Sequence, residues 1–274
     1  MITFDPQLNF ASGTLTIVGL GGTGANLAMR IGRILFAMKS ANIQIPEGIV
    51  LIDPDRVEQR NIGRQMFLKG DVGETKVVTV MRHLNAAYGL NVSAIQEPVS
   101  ATHLIGSKLI LGCVDGPGPR AVIAEFMSQN YTTYASCPIW IDGGNDKESG
   151  QVVLGNSSVF KISTPDHGSK YTKIPMPSLL MPSLLMPSLL EETVTQPLSC
   201  ADLVLRWEQD MLINDWVALV MAQYTKRLLL REPVTSFLTY VASNYMVAKT
   251  VPLTELRRYM KRVELVAPDG AQDS

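Results

Sequence analysis

The sequence predicts an α/β protein built on a mostly parallel sheet flanked by helices, with a mobile crossover loop and C-terminal helices. Three observations predict it. An apolar run, Leu15 to Val18, feeds straight into Gly19-Leu20-Gly21-Gly22-Thr23-Gly24, and Ala25 to Lys39 then carries apolar residues at helical spacing. A second run, Ile49 to Ile52, ends in Asp53-Pro54-Asp55, and a third, Lys108 to Cys113, is followed closely by Asp115. Short continuous apolar runs suit strands buried on both faces, and their alternation with helical patterns makes the sheet Rossmann-like.

The glycines of the first turn have separate tasks. Gly19 lets the chain leave the strand sharply, Gly21 beside Gly22 lets backbone N–H groups approach a phosphate, and Gly24 lets the helix pack close to the strand. A helix N-terminus adds unpaired N–H groups and about half a positive charge. Three glycines in six residues also suit an ordinary tight loop, and only the flanking strand and helix favour a phosphate. Asp53 follows Gly24 by 29 residues, at the carboxyl end of the second strand, where this fold sets an acid against a ribose hydroxyl; a turn former before Pro54 is the alternative.

Further along, Asn42 to Gly48 is a polar connection and Glu74 to Tyr88 reads as a helix with Val77, Val80, Met81, Leu84 and Tyr88 on one side. Lys76 falls in its first turn, directed back at the glycine turn. A short strand is expected at Val92 to Gln96, a brief helical segment at Ala101 to Ile105, and a helix starting near Arg120. Asp115 lies just past the third core strand, where its hard oxygen suits magnesium, which takes one or two carboxylates and keeps most of its waters; it equally suits a cap in the Gly116-Pro117-Gly118-Pro119 turn. Cys113 reads as a buried small hydrophobe. Pro138 to Asp142 is another core strand, and Gln151 to Leu154 with Ser158 to Ile162 alternate as a hairpin would.

From Thr164 to Gln196 the character changes. Met-Pro-Ser-Leu-Leu occurs three times in tandem, from Met176, Met181 and Met186, and a proline every five residues blocks a continuous helix. An extended or disordered loop is expected, with docking of a partner or sister subunit on the leucine pairs as the alternative. Ser199-Cys200-Ala201-Asp202 then opens a helical pattern running to Leu229, and residues 232–274 read as a terminal helix and frayed tail. The domain expectation is therefore 1–231, with the repeat-bearing loop at about 164–198, and a helical extension at 232–274.

The chemistry turns on the cations. Displacing pyrophosphate from ATP develops negative charge on the leaving group, which Arg64 and Lys76 would stabilise; each such donor in a dry site contributes about 3 kcal/mol. Taken singly, each is equally a solvated surface charge. Gly19 to Gly24, the Asp53-Pro54-Asp55-Arg56-Val57-Glu58 turn, Asn61-Ile62-Gly63-Arg64-Gln65, Lys76 and Cys113-Val114-Asp115 occur in the order found in the ThiF/MoeB/HesA family, relatives of ubiquitin-activating enzymes, and the chain resembles that family over about residues 14–160 and, loosely, 198–231.

The resemblance implies an adenylyltransferase that uses ATP and magnesium to activate the C-terminal Gly carboxylate of a ubiquitin-like or sulfur-carrier protein ending in Gly-Gly, and it implies a homodimer. By the same resemblance Asp53 holds the ribose, Asn61, Arg64, Gln65 and Lys76 surround the phosphates, Asp115 holds magnesium, and Cys200 matches a loop cysteine that forms a thioester or persulfide in some members; Asp55 of the same turn is counted with the cofactor-binding residues. Many members carry zinc on two Cys-x-x-Cys pairs; no such pair occurs here, so no structural zinc is expected. In several members an N-terminal arginine reaches the partner subunit's ATP site, yet residues 1–13 hold no Arg or Lys.

Composition bounds the alternatives. At 274 residues and 46% hydrophobic content there is material for one large α/β domain. A net charge of −1 argues against nonspecific nucleic-acid binding. Three widely spaced cysteines, no leader-like start and no long apolar stretch point to the cytoplasm, without membrane association. A Rossmann oxidoreductase, which leaves Arg64 and Lys76 idle, and a noncatalytic scaffold of the same fold stand beside the adenylyltransferase reading.

Overall fold

In the computed structural model, which describes residues 1–6, 8–63, 65–130, 137–160, 170–185 and 212–266, the three apolar runs are core strands. They are β2 (Thr14–Val18), β3 (Gly48–Ile52) and β5 (Ser107–Gly112), after a short β1 (Thr3–Phe4). Helices α1 (Gly22–Ser40) and α2 (Lys76–Tyr88), strand β4 (Val92–Ile95) and helix α3 (Pro117–Asn130) complete the first half. Then come β6 (Ile139–Asn145), β7 (Ser149–Gly155), β8 (Lys170–Tyr171), α4 (Pro177–Leu180), α5 (Ile213–Leu229), β9 (Ser236–Ala242), β10 (Val247–Pro252) and α6 (Leu256–Val266).

Eight strands form one mixed sheet in the order β10-β9-β7-β6-β5-β2-β3-β4. The five from β6 to β4 are parallel to their neighbours, and β7, β9 and β10 join antiparallel. The chain therefore reverses its direction of travel across the sheet between β2 and β5, where an open parallel sheet leaves a crevice beyond its carboxyl ends.

Alternation along each strand divides the core in two. Leu15, Ile17, Ile49, Leu51, Leu109, Leu111, Ile139 and Ile141 belong to one apolar cluster with α1, α2 and α5. Val18, Ile52, Ile110 and Trp140 belong to the other, with Ile123, Phe126 and Met127 of α3. Helices on both faces explain why these strands read as continuous apolar runs.

Several expectations change. The hairpin partner of β7 is β6, in register from Trp140 opposite Gly155 to Asn145 opposite Gly150, while residues 158–160 form no strand. Residues 236–252, expected within a helical extension, are two strands that widen the main sheet, and the terminal helix begins only at Leu256. The β-branched and aromatic residues of Ser236-Phe237-Leu238-Thr239-Tyr240-Val241 favour this outcome. The first two Met-Pro-Ser-Leu-Leu units are not extended: each starts a short turn of helix with its proline at the first position, where a missing N–H costs nothing, and Leu180 and Leu184 are buried. The third unit, Ser158 to Ile162 beyond residue 160, and the helical pattern before Leu212 lie outside the described residues. Among the described residues no helix is long and apolar enough to cross a membrane.

One ion pair is sealed within the second core. Arg120 of α3 donates through Nε to Asp142 of β6 at 2.9 Å, and both residues are buried. Burial holds the Asp142 carboxyl above its ordinary range, and Arg120 opposes that shift only in part. Because Arg keeps its proton, removing either partner strands a buried polar or charged group. Arg120→Ala or Asp142→Ala is expected to cost about 3–5 kcal/mol of stability, measured as a lowered urea midpoint; Arg120→Met combined with Asp142→Leu is expected to cost less than either single change.

Candidate functional site

The glycine turn sits at the crevice and is bonded to both neighbouring strands. Gly19 N–H donates to the Ile52 carbonyl at 2.9 Å, and Cys113 N–H donates to the Val18 carbonyl at 2.8 Å. Gly19 has φ +87°, a left-handed conformation that other residues adopt with strain. A Cβ on Gly24 would overlap the Gly19 carbonyl oxygen, so the first turn of α1 and the end of β2 approach too closely for any side chain. At Gly21 the space is open, with nothing within 4 Å of a would-be Cβ.

Gly21 is also the N-cap of α1. It offers no side chain to the helix, and the first turn contains no acid. The N–H groups and positive pole of a 19-residue helix are thus left to an outside anion. Gly22, Thr23 and Gly24 form that first turn.

Asp53, 5% exposed, binds the glycine turn directly. Its Oδ2 accepts from Leu20 N–H at 2.5 Å and its Oδ1 accepts from Asp55 N–H at 2.8 Å. Burial raises the Asp53 carboxyl above its ordinary range, against the pull of the Lys76 ammonium and these two N–H groups. Each carboxylate oxygen retains a second lone pair for a ribose hydroxyl.

Lys76 is the first residue of α2, whose N-cap is Thr75. Its backbone N–H donates to the Asp55 carbonyl at 3.0 Å and its Nζ to Asp55 Oδ2 at 2.7 Å. Lys76 is almost buried and the Asp55 carboxylate is 62% exposed, so one side of this pair is open to exchange with another anion. A continuous path of contacts runs from Leu20 through Asp53 and Asp55 to the ammonium.

The segment after Glu58 is a helical turn closed by Asn61, whose Oδ1 accepts from Glu58 N–H at 2.7 Å. Gln65 N–H donates to the Asn61 carbonyl at 3.1 Å, and Gln65 Oε1 is buried with no hydrogen-bond partner. An orphaned polar atom at this position suits a site that a polar ligand completes. Asn61 is buried, and its side chain shapes the turn. Arg64 and Cys200 lie outside the described residues.

Asp115 is exposed just beyond β5. Among the described residues no group of three His, Cys, Asp or Glu could hold a metal ion. A lone carboxylate at a phosphate site suits magnesium, which draws its remaining ligands from phosphate oxygens and water. Cys113 is buried, its Sγ 3.8 Å from Met221 Sδ, and burial drives its thiol far above the ordinary range. Cys137 donates to the Asn156 carbonyl at 2.7 Å and is pushed up to about 12. Neither is a thiolate near neutrality.

Three residues at the crevice were not singled out by sequence: Thr23, Asn145 at the end of β6 and Asn214 at the start of α5. Thr23 Oγ1 is 3.0 Å from Asn214 Oδ1 and 3.3 Å from Asn145 Oδ1. Their meeting depends on two crossovers, and only Thr23 lies in a recognisable motif.

The ThiF family model matches residues 2–258. Similar solved structures include PaaA, 14% identical with TM-score 0.57 over 89% of this chain and 65% of that one. They also include E. coli MccB solved with ATP, 17% identical with TM-score 0.56 over 89% and 64%, and E. coli MccB solved with AMPCPP and MccA, 16% identical with TM-score 0.56 over the same shares. The chain thus spans just under two thirds of those proteins, and at these identities the likeness is one of fold. A search of functionally characterised proteins gave no match in sequence.

The two kinds of glycine separate experimentally. Gly24→Ala is expected to destabilise the protein by about 2–3 kcal/mol through overpacking, whereas Gly21→Ala is expected to stay within about 0.5 kcal/mol of the parent, both measured by chemical denaturation.

Proposed function

The chain belongs to the ThiF family, and from that membership and its crevice we propose that it is an ATP-dependent adenylyltransferase that activates a carboxylate. The observation that carries this reading is the junction of an uncapped α1 N-terminus with a nearly buried lysine whose ion-pair partner, Asp55, faces solvent. A nicotinamide cofactor would use the glycines and Asp53 and leave that ammonium without a task.

In this reading the triphosphate lies over Gly21, Gly22 and Gly24, with the ribose at Asp53. Lys76 exchanges Asp55 for phosphate oxygens, Gln65 and Asn61 line the same side, and Arg64 adds a second cation. Magnesium at Asp115 would neutralise phosphate charge when bound. A carboxylate oxygen of the substrate bonds to the α-phosphorus as the bond from that phosphorus to the bridging oxygen breaks; the electron pair leaves with pyrophosphate, and an acyl-adenylate remains. No general base is required, because a terminal carboxyl group has a pKa of about 3.5 and is already ionised. The protein's contribution is alignment and fixed positive charge.

The substrate we favour is the C-terminal Gly-Gly carboxylate of a ubiquitin-like or sulfur-carrier protein, handled by a homodimer, with Cys200 as the residue for any later covalent transfer. The motif order from Gly19 to Asp115 supports this substrate class.

The test is exchange of labelled pyrophosphate into ATP in the presence of candidate carriers. Carrier-dependent exchange is expected, abolished by Arg64→Ala or Asp115→Ala and reduced about 100-fold by Lys76→Ala. Exchange that survives Arg64→Ala and Asp115→Ala, or is absent with every carrier, would overturn the proposal; tight NADH binding without ATP binding would favour an oxidoreductase. Gly21→Ala is expected to weaken ATP binding by about tenfold or more, because its methyl group occupies the phosphate approach.

A further inference from the structure

A net charge near zero conceals how the fold distributes its cations. The terminal helix α6 buries Leu256 and Met260, one turn apart, in the core, and Tyr259 packs edge-on against Phe237 of β9 with ring centroids 5.3 Å apart. Arg257, Arg258, Lys261 and Arg262 fall on the opposite side of the helix, and all four are exposed. None of the four makes a side-chain hydrogen bond or ion pair among the described residues, whereas Arg30, Arg60, Arg82 and Arg120 each pair with an acid. Lys249 of β10 adds a further exposed cation: it stands opposite Tyr240, a neighbour of Tyr259 on α6.

Left to itself this arrangement is unfavourable. Arg257 with Lys261 and Arg258 with Arg262 are like charges four residues apart, which repel across one helical turn. Arg257 and Arg258 also stand in the first turn, where the helix pole is already positive. No acid lies between Glu255 and Glu264 to relieve them. The rest of the chain is the reverse, because a net charge of −1 for the whole leaves −5 once these four cations are set aside. A folded acidic partner would gain little from solvated, screened ion pairs, and its bulk would lie over that negative remainder. A strand of closely spaced phosphates differs, because each phosphate neutralised releases condensed counterions, and a narrow ligand feels only the charges within about 8 Å. A membrane is unsuited, since the apolar side of α6 is already occupied by the core and has nothing to insert.

We propose that the exposed face of α6 binds single-stranded nucleic acid by its phosphodiester backbone, with Arg257, Arg258, Lys261 and Arg262 as the phosphate contacts. Planar guanidinium groups suit phosphate oxygens two at a time, and such contacts read no base. The four cations span about 8 Å of helix axis, a convex stripe that a flexible strand follows and a rigid duplex touches at few points. This surface is separate from the nucleotide crevice: α6 follows β10, the edge strand, five places from β2 in the sheet order. The overall charge argues against binding by the whole surface, and α6 confines it to one face.

The test is the fluorescence anisotropy of a labelled oligothymidylate of about 16 nucleotides, titrated with the full chain. The association constant of the parent is expected to fall as salt rises with a log–log slope of about −3, the sum for four phosphates at about 0.7 each on a single strand. Arg258→Ala combined with Lys261→Ala should weaken binding about tenfold or more at ~50 mM salt and reduce the slope by about 1.4. Arg33→Ala combined with Lys39→Ala removes the same charge from exposed positions on α1 and should stay within about twofold of the parent. All four substituted residues are exposed, so neither variant removes a core contact. No binding by the parent, equal losses in the two double variants, or an unchanged slope in the α6 variant would overturn the proposal. So would a polyglutamate peptide that binds as tightly, which marks an acidic-protein surface, or displacement of the oligonucleotide by AMP, which places it in the crevice.

Discussion

The Asp53 carboxylate is the contact on which the crevice depends. It accepts the Leu20 N–H of the glycine turn and the Asp55 N–H of the following loop, and Asp55 in turn holds Lys76. Two parallel strands and the helix after each are thereby fixed at one point, beyond the carboxyl ends where neither strand can bond its neighbour further. Burial disfavours the charge on Asp53 and raises its carboxyl above the ordinary range, while the nearby ammonium and two N–H donors offset part of that cost.

On the face of the sheet toward α1 and α5, Thr23, Asn145 and Asn214 come together at the carboxyl ends, and Tyr224 of α5 bonds Ser236 and Thr239 of β9. The face toward α3 instead carries a sealed ion pair, Arg120 with Asp142. The ion pair orients α3 on the sheet, and the Thr23 cluster ties the first turn of α1 to the end of β6 and the start of α5.

Sheet extension by β9 and β10 shows how far local pattern reaches. Periodicity identified the parallel half because its strands are continuous apolar runs bounded by glycine or an acid. The antiparallel half has partly exposed strands, with Tyr240 and Val247 half open to solvent, and its alternation is weak enough to be read as helix or loop. The same limit applies to the hairpin: β7 was visible, but its partner lay upstream in β6 rather than downstream, because register is set by pairing across the sheet and not by nearness in sequence.

By itself the sequence determined the Rossmann-like half, the glycine turn, Asp53 and Lys76, since each is written in a short ordered segment whose backbone demands are local. Tertiary structure alone decided that Asp55 holds the lysine, that Asp142 finds Arg120, and that Asn145 and Asn214 meet at Thr23. These pairings join residues up to 191 positions apart, and burial, which fixes both their energy and their partners, exists only once the sheet has assembled.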